Sequence, residues 1–70
     1  WSMNDLKIIN FLSHEKRATA REVADEMSIS PADAVSALLR IEAQGKAQQL
    51  NGYWFIPAKP PKTEQKEDSE

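Results

Sequence analysis

Seventy residues with no cysteine and a net charge of −2 allow one small domain and exclude a disulfide scaffold, a thiolate metal site and a cysteine nucleophile. No apolar run nears the roughly 18 residues of a membrane span. There is no signal-peptide pattern, and a cysteine-free chain fits a reducing, cytoplasmic setting. Nine Lys and Arg against eleven Asp and Glu also withhold the bulk positive charge that nucleic-acid-binding domains usually show.

The start at Trp1 instead of Met reads as an excised fragment or as a chain carrying a few foreign residues at its start. Ser2-Met3-Asn4-Asp5 can cap a first helix running to about Ser13. In it Leu6, Ile9 and Leu12, joined by Ile8 and Phe11, form an apolar stripe at helical spacing. His14 to Ala18 is a polar connector, and His14, with no second ligand or partner carboxylate, is a surface residue at a helix end. Thr19-Ala20-Arg21-Glu22 is a capping box, a hydroxyl at N-cap answered by a carboxylate three residues on. It opens a second helix, Ala20 to Met27, with Ala20, Val23, Ala24 and Met27 inward. Ile29 plugs the turn. Ser30-Pro31-Ala32-Asp33 opens the third helix, since proline at N1 loses no hydrogen bond and a carboxylate suits the positive helix end. This helix runs to about Gln44, with Ala34, Val35, Leu38 and Ile41 as its buried stripe, and Gly45 closes it in the left-handed conformation.

Asn51-Gly52 between Ala47–Leu50 and Tyr53–Ile56 is the strongest short hairpin signal a sequence offers. Pairing across it sets Leu50 opposite Tyr53, Gln49 opposite Trp54, Gln48 opposite Phe55 and Ala47 opposite Ile56. Alternation puts Ala47, Trp54 and Ile56 on one face, expected inward, and Leu50, Tyr53 and Phe55 on the other. From Pro57 the composition turns to proline and charge, so residues 58–70 read as a disordered tail or linker after a domain spanning residues 1–57. The fold class is mainly α with a small β-hairpin, a three-helix winged helix-turn-helix.

The run from Thr19 to Ile56 resembles the small bacterial winged helix-turn-helix domains, among them the fimbrial-operon and ferrous-iron-transport regulator families and MarR-like wings. The resemblance covers roughly Asn4 to Ile56. It implies a bacterial transcription regulator that binds double-stranded DNA, with helix three in the major groove and the wing on the backbone. Base reading then falls to Ser30, Ala32, Ser36, Ala37 and Arg40. Departures from the pattern exclude two close relatives, and with the second of them they make a Z-form reading poor. The iron-transport regulators carry a cysteine cluster in the wing, which this chain lacks. The left-handed-DNA binders share Thr19-Ala20, Gly45-Lys46, Trp54 and Ile56, but they set Asn, Arg and Tyr where this chain offers Val35, Ser36 and Leu39.

Read residue by residue, Arg40 could fork onto guanine, bind a phosphate, or simply pair with a neighbouring carboxylate. Ser30 is first an N-cap. Lys16, Arg17 and Arg21 cluster at the start of helix two, whose N-terminus favours anions. With Lys46 they form either a phosphate-gripping edge or an ordinary solvated surface. Thr19 and Asn51, at that helix start and at the wing tip, complete the expected DNA-contacting set. Tyr53 and Trp54 are more often hairpin and core stabilisers than ligands.

No nucleophile has a base and no glycine-rich phosphate loop exists, so no enzyme, cofactor, metal or small-molecule ligand is expected. Two functions remain. One is the DNA-binding module. The other is a winged helix turned to protein contact through Leu50, Tyr53 and Phe55 or through the alanine-rich, non-basic helix three, with a second copy or a larger parent protein as partner.

Overall fold

The computed structural model describes residues 1–58. The expected tail falls, apart from Ala58, on residues 59–70, which lie outside the described residues. The elements run α1 (Met3–His14), β1 (Ala18–Thr19), α2 (Ala20–Met27), α3 (Pro31–Ala43), β2 (Gln48–Leu50) and β3 (Tyr53–Phe55). Three helices and a small antiparallel sheet make a winged helix fold.

Each helix begins where a side chain meets its first free amides. Ser2 Oγ accepts from the Asp5 N–H at 3.1 Å. Thr19 Oγ1 accepts from the Glu22 N–H while the Thr19 N–H donates to Glu22 Oε1 at 2.8 Å. Ser30 Oγ accepts from the Asp33 N–H. The ends are equally specific. At Gly45, φ is +76°. The Gly45 N–H donates to Glu42 O and the Lys46 N–H to Ile41 O, the paired bonds of a Schellman ending. Helix α2 ends on Ser28, which adopts the left-handed conformation at φ +58° so that the Ile29 N–H reaches Ala24 O at 3.0 Å.

Asn51 and Gly52, both at positive φ, turn β2 into β3 in the geometry that matches strand twist. The register is the expected one, with Leu50 opposite Tyr53, Gln49 opposite Trp54 and Gln48 opposite Phe55. A third strand joins them. Ala18, expected to end a polar connector, and the cap residue Thr19 form β1, which pairs Ala18 with Trp54 and Thr19 with Tyr53, so the sheet order is β1-β3-β2.

The core gathers Ile8 and Leu12 of α1, Val23 and Ala24 of α2, and Ala34, Ala37, Leu38 and Ile41 of α3. Ala18, Ala47 and Trp54 complete it from the sheet side. Five of these eleven residues are alanines, so helices and sheet approach closely and there is little room for larger side chains. Two stripes differ from expectation. In α1 the buried line is Asp5, Ile8 and Leu12, and Leu6 is exposed. In α3 it is Ala34, Ala37, Leu38 and Ile41, while Val35 is exposed. Both are i, i+3, i+7 lines rotated by about one position from the most hydrophobic choice. Ala47 and Trp54 do face the core and Ile56 packs against it.

Candidate nucleic-acid interface

Arg40 leaves α3 toward α1. Its Nη2 donates to Asp5 Oδ1 at 2.8 Å and its Nε to Asp5 Oδ2 at 3.3 Å. The Asp5 carboxylate is 3% exposed as a residue, and the fork supplies the charge that keeps it ionised. The Arg40 hydrogen bond holds the Asp5 carboxyl below its ordinary value of 3.8, overcoming burial, which pushes it up; Ser2 adds a smaller lowering. The same bond raises Arg40. Of the alternatives open to Arg40, the pairing with a carboxylate is the one the fold shows. Two of its five N–H donors are held by Asp5, and the plane of the guanidinium is fixed toward the first helix.

The base-reading expectation for Ala37 is corrected. It is 2% exposed and packs in the core, so it offers nothing to a groove. The outer line of α3 is Ala32, Val35, Ser36 and Leu39, all exposed, with Leu39 at 51%. Of the other base-reading candidates, Ser30 is exposed but its hydroxyl already caps α3. Ala32 and Ser36 point outward with a methyl and a single hydroxyl. The helix-turn-helix segment from Ala20 to Ala43 carries Glu22, Asp25, Glu26, Asp33 and Glu42 against only Arg21 and Arg40. Its face is acidic and, on α3, apolar.

Three cations, Lys16, Arg17 and Lys46, lie outside that segment, and Arg21 lies at its start. Lys16, Arg17, Arg21 and Lys46 are all exposed, and among the described residues none of them is ion-paired. Arg17 lies over the Tyr53 ring, 4.4 Å from its centroid. Lys16, Arg17, Asn51, Leu50, Tyr53 and Phe55 line one shallow hollow of about 230 Å³. Sequence reading divided these residues between a phosphate grip and a protein-facing patch; the fold brings them together. Thr19 pairs with Tyr53 beside them, half-buried, its hydroxyl engaged in the capping box. The patch itself stands open, with Leu50 63% and Tyr53 37% exposed, while Phe55 is partly covered.

Asp5, expected within the cap of the first helix, is in addition the buried partner of an ion pair. Its signal was available in the spacing Asp5, Ile8, Leu12, which places a carboxylate on a buried line and so demands a cation. His14 stays a helix-end residue, its Nδ1 donating to Asn10 O at 2.8 Å. Among the described residues no group of His, Cys, Asp and Glu could hold a metal ion, and no helix is long and apolar enough to cross a membrane.

No protein-family model matches the chain, and no curated protein matches it either. Solved structures do. The fold is similar to the Zalpha domain of ORF112 from Cyprinid Herpesvirus 3, solved in a study of how that domain binds Z-DNA. The TM-score is 0.72 and the identity 21%, over 77% of this chain and 92% of that one. It is also similar to part of PigF, solved with SAH, at a TM-score of 0.68 and 24% identity over 79% of this chain. This chain spans 16% of the PigF chain. At these identities the likeness is one of fold: the chain is a winged helix domain.

Proposed function

We propose that this domain binds nucleic-acid duplexes through its wing side, gripping phosphates with Lys16, Arg17, Arg21 and Lys46, and discriminates little between sequences. The observation that carries this reading is the set of four exposed cations, unpaired among the described residues, against an outer line of α3 that offers a base edge only the Ser36 hydroxyl. The fold likeness to a domain that binds Z-DNA supports a nucleic-acid partner. Carboxylates on α2 and α3 repel phosphate, so the duplex meets the wing before the helix-turn-helix. A role in a bacterial transcription regulator, in the cytoplasm and without enzymatic activity, fits this reading.

Fluorescence anisotropy on random B-form duplex across a salt series tests it. Three to four phosphate contacts give a log–log slope of roughly −3, shallower for Arg21→Ala and unchanged in rank between sequences. An alternating CG duplex held in the Z form is the second arm, and equal affinity for the two forms is expected from phosphate-led contact. Absence of saturable binding at low salt overturns the proposal.

One observation favours a second reading. Val35 and Leu39 stand exposed one turn apart on α3, which suits a protein surface better than a groove. Sedimentation of wild type against Leu39→Lys tests that reading, which requires association in the wild type alone.

A further inference from the structure

We infer that the hollow on the outer face of the wing receives an unpaired nucleotide, its base stacked on the Arg17–Tyr53 pair and its phosphate held by Lys16. The inference rests on the nucleic-acid reading above and deepens it by naming the strand state the wing prefers.

Three observations converge on it. First, the Arg17 guanidinium lies over the Tyr53 ring, its carbon 4.4 Å from the ring centroid. Aromatic rings and guanidinium planes are the two surfaces on which unpaired bases stack, and stacking tolerates any base. Second, the lining is complementary in charge to a nucleotide. Lys16 and Arg17 are cationic, Leu50, Tyr53 and Phe55 are apolar, Asn51 supplies an amide, and among the described residues no carboxylate lines the hollow. Third, Arg17 is a boundary. On its other side a separate hollow is lined by Glu15, Glu22, Asp25 and Glu26, which turns a polyanion away from α2 and along the wing. A paired base is hidden in its stack and cannot use such a surface, whereas an overhang, bulge or loop can. An acidic, aromatic peptide shares part of this chemistry, but its charge is sparse where a nucleic-acid strand presents a phosphate at every residue.

The full 70-residue chain is titrated with a blunt duplex, with the same duplex carrying a single-stranded overhang, with an oligothymidine of about twelve nucleotides, and with an acidic Glu/Tyr peptide. The overhang should tighten binding about tenfold over the blunt duplex. Tyr53→Leu should abolish that gain while blunt-duplex binding is kept. Tyr53→Phe should retain the gain, and Arg17→Lys should lose most of it despite its conserved charge, because it loses the plane. Amide spectra of each variant establish that it is folded. Oligothymidine should shift the Arg17, Tyr53 and Phe55 amides. Equal affinity for blunt and overhang duplexes overturns this inference and leaves the phosphate-led reading standing. Failure of every nucleic acid overturns both. Peptide binding at these residues without oligothymidine binding makes the hollow a protein site and overturns the inference.

Discussion

The Arg40 guanidinium forks onto the Asp5 carboxylate, 2.8 and 3.3 Å away, across the α3–α1 junction. It is the one ion pair within 4.0 Å among the described residues, and the two partners are unequal: the Asp5 side chain is 4% exposed and that of Arg40 56%. Removing the arginine strands a buried carboxylate, whereas removing the carboxylate leaves a cation that water can reach. Arg40→Ala should therefore lower the urea midpoint more than Asp5→Asn does. Asp5→Ala should cost about 1.5–3 kcal/mol, the range for hydrogen bonds to charged groups. Equal losses would mean that the carboxylate is solvated.

The same pair sets an acid limit. The unfolded carboxyl titrates near 3.8 and the folded one lower, so the contribution of Asp5 to stability is complete above that value. It is lost as pH falls through the folded pKa. Wild type should lose stability more steeply than Asp5→Asn on acidification below about pH 4. Parallel curves from thermal melts at stepped pH would remove Asp5 from the acid response.

Ala32 and Ala37 give a clean contrast on one helix. Ala37→Leu forces a larger side chain into the alanine-lined core and should cost about 1–3 kcal/mol. Ala32→Leu, on the exposed side, should stay within about 0.5 kcal/mol. Similar losses at the two sites would contradict the rotation of α3 described above.

Ser28 holds a left-handed backbone at φ +58° without glycine. That conformation costs an L-residue about 1–2 kcal/mol, and glycine returns about 0.5–1 of it as unfolded-chain entropy. Ser28→Gly should stabilise the domain by about 0.5–1 kcal/mol in chemical denaturation. A loss would show that the serine side chain contributes more than its backbone costs.

Thr19→Ala removes the cap hydroxyl and should cost about 1 kcal/mol. Glu22→Ala in the same background should cost less than it does alone, since the two bonds of the capping box are reciprocal. Strict additivity in a double-mutant cycle would argue against the paired geometry.

Local signals were legible in the sequence because they act over two to five residues. The caps at Thr19 and Ser30, the Gly45 ending, the Asn51-Gly52 turn and the hairpin register all follow from chemistry confined to neighbours. Facts that depend on distant partners were not legible. Ala18 and Thr19 carry no strand signal of their own and become β1 because Trp54 and Tyr53 offer a free edge. Val35 outranks Ala37 in hydrophobicity, yet close packing selects the alanine for the core. Of the candidate site, the cations Lys16, Arg17 and Arg21 were visible as a cluster. Their meeting with Leu50, Tyr53 and Phe55 required the sheet, and Arg40 was lost to a partner 35 positions away.

The strand at the centre of the sheet is β3, the last to be made, and it is flanked by β2 from next to it and β1 from far upstream. A nascent chain therefore emerges with Ala18 and Thr19 lacking their partners and with the core missing Trp54 until Phe55 has cleared the ribosome. The hairpin can close locally in microseconds, but docking β1 must await a long loop closure. Cooperative folding of this domain consequently waits until nearly its entire length has been made, and a truncation anywhere before Tyr53 leaves helices without the sheet that covers their base.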